Sequence, residues 1–254
     1  MSKTKRERNI KRDRIIAGQR PVLDAGGNPV GRLPEILVGL PNKGFLPTKF
    51  VETRDHAVIG SGKIFDVYFG YANWQITDDA RNTFVCTALK KKLDYIFFMD
   101  SDMIFPKGCL GQMLRHREKL DVKSAVLGGV YCHKGDGRWH VYQWQEDLNM
   151  WKSMRFPLYK GLVEVDAVGT GCMLVDVSVF EKIPFPWFEY RYMELKNYKY
   201  ERMSEDMVFC KKCKDSGIPV YADTDIFCGH INQSQIWPTP DGGYEVRTLA
   251  GESY

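Results

Sequence analysis

The apolar run from Tyr95 to Met99 ends at the triplet Asp100-Ser101-Asp102, and this junction constrains the fold more than any other feature of the chain. A short apolar run bounded by polar residues predicts a buried β-strand, and side chains two positions apart on a strand lie on the same face. The carboxylates of Asp100 and Asp102 can therefore converge on one point. Carboxylate oxygens suit Mg²⁺ or Mn²⁺, ions that commonly hold substrate phosphates. The junction thus predicts a strand that leads into a metal site.

The composition is that of a folded α/β protein. With 254 residues, 44% of them hydrophobic, the chain suits one large α/β domain or a domain with appendages. Its apolar stretches are far shorter than the ~18 residues that suggest a membrane-spanning helix, and its start does not resemble a secretory signal. Seven cysteines, an odd number, fit reduced thiols better than a disulfide framework. We expect no membrane span and a cytoplasmic location, in a host cell should the chain be viral.

The first 33 residues are expected to form a basic flexible tail and a turn segment. Residues 1–14 contain seven lysines or arginines against Glu7 and Asp13, whereas the whole chain has a net charge of +4. Two interpretations stay open: a solubilising extension, or a nucleic-acid contact that gains affinity by releasing phosphate counterions. A turn cluster at Asp24–Pro29 separates this tail from the first core strand.

The first core strand is predicted at Glu35–Leu40, and Pro41-Asn42-Lys43-Gly44 follows it directly. A strand, a Pro/Gly loop and then a helix-like stretch are typical of the opening of a nucleotide-binding α/β unit, although a simple β-turn is the other interpretation. A second strand is predicted at Phe65–Gly70. A helix is predicted from Thr77 to a basic end at Lys90–Lys92, which suits the helix dipole.

Two later segments are rich in aromatic and charged residues. Alternation between Cys132 and Trp151 predicts a small β-extension. Its Trp139 and Trp144 either stack on sugars or bases or pack inward. The second segment, residues 185–202, contains Tyr190 and lies just before the acidic triplet Ser204-Glu205-Asp206.

Together, these segments resemble GT-A glycosyltransferases, family 2-like enzymes that use nucleotide-sugar donors. Leu93–Met103 resembles the metal-binding DxD strand, and Val168–Val175 resembles the small-residue turn that lines the donor sugar pocket. Ser204–Cys210 and the later Gly229-His230 are similar to the catalytic helix and the metal-binding histidine of that family. The resemblance implies a mostly parallel sheet flanked by helices over residues 34–232, with residues 233–254 as a turn-rich appendage.

The resemblance also implies roles for individual residues. Asp102 and His230 would bind Mn²⁺ or Mg²⁺, with Asp100 near the metal or the donor ribose. Asp206 would be the general base, and Glu205 is the second choice. Donor binding would involve the following residues: Pro41, Asn42, Gly44, Arg81, Asp100, Ser101, Thr170 and Gly171. The plain alternatives are a helix start for Glu205-Asp206, a core histidine for His230 and a surface salt bridge for Arg81. Ser204 is expected to cap the helix.

The function expected from the sequence is metal-dependent transfer of a hexosyl group from a UDP- or GDP-sugar to an acceptor hydroxyl, with inversion. A hydroxymethylated DNA base is one acceptor that fits the basic tail, and a glycan or a small molecule is the alternative. Two other functions stay open. A sugar-nucleotide nucleotidyltransferase would need a Gly-rich basic loop after the first strand, and a non-catalytic nucleic-acid-binding protein would not hydrolyse a donor.

Overall fold

A computed structural model of the chain describes residues 22–23, 29–30, 32–59, 64–134, 136–148, 150–195, 199–231 and 234–248. The tail predicted at residues 1–14 therefore lies outside the described residues, as does most of the segment 1–33. The helices are α1 (Thr48–Ile59), α2 (Thr77–Lys91), α3 (Cys109–Arg117) and α4 (Glu205–Asp215). The strands are β1 (Val22–Leu23), β2 (Pro29–Val30), β3 (Glu35–Asn42), β4 (Asp66–Asn73), β5 (Tyr95–Met99), β6 (Met103–Ile104), β7 (Val126–Val130), β8 (Val141–Gln145), β9 (Met150–Ser153), β10 (Leu162–Val165), β11 (Ala167–Val168), β12 (Cys172–Asp176), β13 (Arg191–Leu195), β14 (Lys199–Met203), β15 (Val220–Phe227), β16 (Gly229–Ile231), β17 (Ser234–Pro238) and β18 (Tyr244–Thr248).

The central sheet has seven strands in the order β10-β15-β7-β12-β5-β3-β4. Strand β3 is parallel to both β4 and β5, and β15 is parallel to β7. Strand β12 is antiparallel to β5 and β7, and the edge strand β10 is antiparallel to β15. Strands β3, β4, β5, β7 and β15 therefore all run in one direction, which confirms the mostly parallel sheet predicted from the sequence.

Helices cover both faces of this sheet. Helices α2 and α4 contribute to one cluster of buried apolar side chains, and α1 and α3 contribute to the other. Strand β5 lies between β12 and β3, so both of its faces are buried: Phe98 joins the first cluster and Phe97 the second. Burying a side chain of this size stabilises the fold by about 1.5–3 kcal/mol. This explains why the run before the carboxylate triplet is continuously apolar rather than alternating.

The predicted β-extension is present as a sheet with the order β11-β8-β9. Trp139 and Trp144 are buried there, and the rings of Trp144 and Trp151 meet edge to face at 5.0 Å. The inward-packing interpretation is therefore correct for Trp139 and Trp144. Stacking of Trp139 on a ligand is wrong, because its indole lies inside the core.

The described part of the C-terminal segment is a β-hairpin. Strands β17 and β18 pair with each other, and β17 pairs with β16, giving a sheet with the order β18-β17-β16-β6. The turn-rich character predicted for residues 233–254 is confined, among the described residues, to the connection between Pro238 and Tyr244. Trp237 packs so closely on Gly229 that a Cβ there would lie 2.7 Å from the indole. The hairpin thus supports the strand that carries His230.

None of the described helices is long and apolar enough to cross a membrane.

Candidate active site

Strand pairing brings the carboxylate triplet and the predicted histidine together. Strand β6 begins directly after the triplet and pairs antiparallel with β16, with Met103 opposite His230. The backbone N–H of Ile231 donates to the carbonyl oxygen of Asp102 at 2.6 Å. In this register Oδ2 of Asp102 lies 3.7 Å from Nε2 of His230. Two residues far apart in the sequence therefore face one point.

The imidazole of His230 has a defined orientation. Its Nδ1 lies 2.7 Å from the carbonyl oxygen of Cys132, and because a carbonyl only accepts, Nδ1 is the donor. The nitrogen that faces Asp102 is therefore Nε2. Metal-binding histidines usually donate from their other nitrogen in this way, which fixes the tautomer and the ring orientation.

Two groups hold Asp102 in its ionised form. Burial acts to raise the pKa of Asp102, but the hydrogen bonds and charges of His230 and Lys134 outweigh burial and lower that pKa well below its usual range. The ammonium group of Lys134 contacts the same Oδ2 atom that faces His230. Lys134 was not predicted from the sequence, where it is one of several cations in a polar segment.

Arg81, on α2, joins Asp100 to Glu205. Its Nη2 donates to Oδ1 of Asp100 at 2.8 Å, and its Nη1 donates to Oε1 of Glu205. Its side chain is only 2% exposed. Burial acts to lower the pKa of Arg81, but the charges of Asp100 and Glu205 raise it above its usual value. The predicted contact with the donor diphosphate would require this guanidinium to leave two carboxylate partners.

The pKa of Asp100 shifts in the opposite direction to that of Asp102. Burial raises the pKa of Asp100 above its usual value, although Arg81 opposes the shift. Asp100 faces Arg81, whereas Asp102 faces His230. Ser101 lies half-buried in the turn between them. The two carboxylates of the triplet thus have different partners.

Helix α4 begins with the predicted acidic pair. Glu205 is buried against Arg81, and burial together with the nearby Glu205 raises the pKa of Tyr190 to about 12. Asp206 is half-buried, and its Oδ1 accepts from the backbone N–H of Met207 at 2.8 Å and from the hydroxyl of Ser204. The expected cap by the Ser204 side chain is wrong, because its hydroxyl donates to this carboxylate and makes no capping bond.

The predicted small-residue turn lies beside Asp100. The backbone N–H of Asp100 donates to the carbonyl of Gly171 at 3.1 Å, and Thr170 is buried. Tyr131 explains the glycines, because a Cβ on Gly169 would lie 2.0 Å from its hydroxyl. That hydroxyl also accepts from the N–H of Gly171 at 3.0 Å. Tyr131 was not predicted from the sequence.

The loop after β3 also has an unpredicted neighbour. Pro41 and Asn42 end β3, and Oδ1 of Asn42 accepts from the N–H of Gly44 at 2.8 Å. Trp74 follows β4, and its backbone N–H donates to the carbonyl of Asn42 at 2.9 Å, while the residue is 77% exposed. Gly44 has φ +84, and a Cβ there would lie 2.3 Å from the indole of Trp74. An aromatic residue directly after the strand parallel to β3 is the signal that could have identified it.

Exposed aromatic residues lie on the hairpin β13–β14, directly before α4. Tyr192 and Tyr200 are 67% and 71% exposed, and their rings meet at 5.5 Å. The guanidinium of Arg202 lies 3.9 Å from the ring centre of Tyr190. These residues offer flat apolar faces beside a cation, in the segment directly before the start of α4.

One compact group of potential metal ligands was not predicted. Among the described residues, only His116, Asp223 and Asp225 form a group of three with all ligand atoms within 4.8 Å of one another. Nδ1 of His116 lies 2.7 Å from Asp223, and its Nε2 lies 3.7 Å from Asp225, so the ring links α3 to β15. The Asp-x-Asp spacing in β15 was the available signal. The predicted set of Asp100, Asp102 and His230 does not form such a group, because Asp100 faces Arg81.

Asp102 and His230 are therefore the two predicted metal residues that the structure brings together. They offer a carboxylate oxygen and an imidazole nitrogen, a donor set that fits Mn²⁺ and leaves positions open for phosphate oxygens.

Comparisons with known proteins give a family match over part of the chain. Residues 77–183 match the family model described as glycosyl transferase family 2. Among solved structures, A197 from STIV is similar with a TM-score of 0.55 and 19% identity, and the match covers 84% of this chain and 93% of that one. A search of curated protein sequences found no match.

Two weaker structural likenesses carry no argument about function. GalNAc-T7 with UDP, GalNAc and Mn²⁺ gives a TM-score of 0.48 at 12% identity, over 79% of this chain and 44% of that chain. Apo UDP-glucose pyrophosphorylase gives 0.44 at 8% identity, over 75% of this chain and 90% of that chain. The family match, taken with the fold, supports a GT-A fold glycosyltransferase, with the match to family 2 confined to residues 77–183.

Proposed function

We propose that this glycosyltransferase is metal-dependent and moves a hexosyl group from a UDP- or GDP-sugar to an acceptor hydroxyl. The observation that carries the proposal is the orientation of His230, whose Nδ1 donates to Cys132 while its Nε2 lies 3.7 Å from Oδ2 of Asp102. Asp102 and His230 would hold Mn²⁺ or Mg²⁺. When bound, such an ion would neutralise the negative charge that develops on the leaving diphosphate.

The donor would lie at the carboxyl ends of β3, β4 and β5, where ligands bind in open α/β sheets. The exposed indole of Trp74, beside Asn42 and Gly44, offers a stacking face for the nucleobase. Asp100 and Gly171 lie together at the end of β5, where a backbone hydrogen bond joins them. The ribose and the sugar of the donor would lie beside these two residues. Arg81 would position Asp100 and Glu205 rather than contact the diphosphate.

Asp206 is the residue we assign as general base. Both hydrogen bonds that described residues donate to it end on Oδ1, so Oδ2 is available to take the proton from the acceptor hydroxyl. Glu205 is less suited to this role, because it is buried and paired with Arg81. A carboxylate base that activates the acceptor directly supports transfer with inversion.

For the acceptor, we propose a hydroxymethylated base in DNA. The exposed Tyr192 and Tyr200 supply stacking faces before α4, and the basic residues 1–14 would contact phosphates. A base hydroxyl inside a duplex is hard to bring to a buried site, so the nucleotide would be flipped out. A glycan or a small molecule is the alternative acceptor, since aromatic faces also bind sugars.

The two rival functions make different demands. A nucleotidyltransferase would need a Gly-rich basic loop after β3, and in Pro41–Gly44 only Lys43 is cationic. A non-catalytic nucleic-acid-binding protein would release no nucleotide from a donor. Hydrolysis of UDP-, GDP- and dTDP-hexoses with and without Mn²⁺ separates both rivals from the proposed enzyme.

The metal pair is tested by Asp102→Asn and His230→Ala. We expect each variant to lose at least ~10²-fold of the Mn²⁺-dependent hydrolysis, because the diphosphate charge would be poorly compensated. Asp136→Asn is the matched control, because Asp136 is an exposed carboxylate that pairs with Arg138. Full Mn²⁺-dependent turnover in either metal-site variant would contradict the proposed function.

A further inference from the structure

Lys134 and a bound metal ion would need the same atom. The ammonium group of Lys134 contacts Oδ2 of Asp102, and Nε2 of His230 lies 3.7 Å from that same oxygen. Because Nδ1 of His230 is used by the carbonyl of Cys132, only Nε2 can face an ion. An ion held by both Asp102 and His230 must therefore sit beside Oδ2, where the ammonium group is.

We propose that Lys134 is a built-in competitor for the metal site: its ammonium occupies the metal-binding oxygen of Asp102, and a divalent ion binds by displacing it. The proposal rests on the proposed metal dependence. Two cations on one carboxylate oxygen repel each other, so the contacts exclude one another. Lys134 thereby sets the metal concentration at which the site fills.

The surroundings of Lys134 permit this exchange without unfolding. The neighbouring backbone is anchored, because the N–H of His133 donates to the carbonyl of Arg138 at 2.7 Å and Cys132 forms a bridge with Trp139. The Lys134 side chain itself is 34% exposed, so its flexible stem can swing into solvent. The ammonium group would leave Asp102 while the turn that carries it stays in place.

The charge balance of the site favours a divalent ion over the lysine. Four carboxylates lie here, those of Asp100, Asp102, Glu205 and Asp206, against the two cations Arg81 and Lys134. Two formal negative charges remain. Exchange of the singly charged ammonium for a divalent ion reduces them to one, and the displaced ammonium then gains an anionic partner when a donor diphosphate arrives. Lys134 would thus couple metal binding to donor recognition.

The test is a Mn²⁺ titration of the full chain, followed by the electron paramagnetic resonance signal of free Mn²⁺. We expect Lys134→Met to bind Mn²⁺ on the order of 10-fold more tightly than the wild type, because the competing cation is gone. Arg138→Met is the matched control. It removes one positive charge from the same turn, but Arg138 pairs with Asp136 and does not contact Asp102. Its Mn²⁺ affinity should be unchanged.

The outcomes separate this proposal from the proposed function. Equal Mn²⁺ affinity in Lys134→Met and wild type, with binding lost in Asp102→Asn, would overturn the competition and leave metal dependence standing. A Mn²⁺ affinity raised equally in Arg138→Met would also overturn it, since general electrostatics would then suffice. Binding by Lys134→Met alone would support the competition and count against metal use by the wild type. Absence of binding in every variant would overturn both. Lys134→Gln provides a second variant if Lys134→Met melts early.

Discussion

Two buried arginines lie at opposite ends of β5, and their surroundings differ. Arg117, near the start of β5, donates from Nε to Oδ2 of Asp176 at 2.6 Å and from Nη2 to the carbonyl of Val122 at 2.8 Å. Asp176 also accepts from the N–H of Ala125 at 2.7 Å. One cation thus meets one carboxylate, and backbone groups satisfy the remaining donors. This pair ties the end of α3 to β12.

Arg81, beyond the other end of β5, is shared between two carboxylates, and its Nε has no partner among the described residues although it is buried. Asp102 and Asp206 add further negative charge nearby. The carboxyl end of the strand therefore holds more negative charge than its own cations neutralise. The comparison teaches that a balanced buried pair is a structural tie, whereas an unbalanced one is what we expect at a site that the proposed metal ion would complete.

Removing the two arginines tests this difference most strongly. Arg117→Met should lower the free energy of unfolding by about 3–5 kcal/mol, because Asp176 is left as an uncompensated buried charge. The turnover of the folded fraction should stay the same. Arg81→Met should instead lower turnover by ~10–100-fold, since Asp100 and Glu205 lose the group that positions them. Urea unfolding and donor hydrolysis measure the two effects.

Stability need not separate the two arginine variants completely, because Arg81→Met also leaves a buried carboxylate. The decisive result is the activity of the folded fraction. An Arg117→Met protein that lost turnover as much as Arg81→Met would show that the two ends of β5 do not differ in the way we describe.

The acidic pair at the start of α4 allows the same comparison between neighbours. Asp206→Asn should lower turnover by ~10² or more while leaving the melting temperature and donor affinity unchanged, because only the transition state needs the proton acceptor. Glu205→Gln should lower both turnover and melting temperature, because it breaks a buried pair with Arg81. Thermal melting, donor binding and turnover of both variants check this. A fall in melting temperature for Asp206→Asn comparable to that of Glu205→Gln would make Asp206 a structural acid.

Local patterns in the sequence predict much of the fold around these residues. The strand at Tyr95–Met99 and the helix at Thr77–Lys91 follow from an apolar run and from apolar positions that end in lysines. Helix α3 begins at Cys109, directly after Gly108, which takes a left-handed conformation with φ 70. Boundaries of this kind depend on single backbone angles, which residue types only bias.

The partners of the site residues could not be predicted in the same way. A guanidinium suits a diphosphate and a carboxylate equally, so Arg81 does not reveal that it binds Asp100 and Glu205. The alternation around Trp139 indicates a strand but not which of its faces is buried. In the structure the indole of Trp139 is buried in the core. Lys134 contacts Asp102 across 32 positions of the chain, a contact that the residues around Lys134 do not indicate, and Trp74 reaches the site because β4 pairs with β3.

The lysines and arginines of residues 1–14, which lie outside the described residues, extend the comparison to a third group of cations. We expect their removal to have the smallest effect of the changes considered. Deleting residues 1–14 removes seven lysines or arginines and two acidic residues. If the acceptor is DNA, the deletion should weaken binding to any duplex and reduce the logarithmic salt slope by about 0.9 for each phosphate that the tail neutralises. Donor hydrolysis should stay the same, because Asp102, His230 and Asp206, the residues of the proposed site, lie outside the tail. Duplex binding at two salt concentrations measures the slope.

The tail and the aromatic hairpin can be separated within that experiment, because they contribute different energies. Phosphate contacts by the tail depend on salt, whereas stacking on Tyr192 and Tyr200 should persist at high salt. Replacing both tyrosines by alanine should therefore weaken binding of single-stranded DNA without changing the salt slope. If the tail deletion changes neither affinity nor slope, the tail is a solubilising extension. Glycan and small-molecule acceptors then become the better choice, with the exposed tyrosines of the β13–β14 hairpin as a sugar-stacking surface.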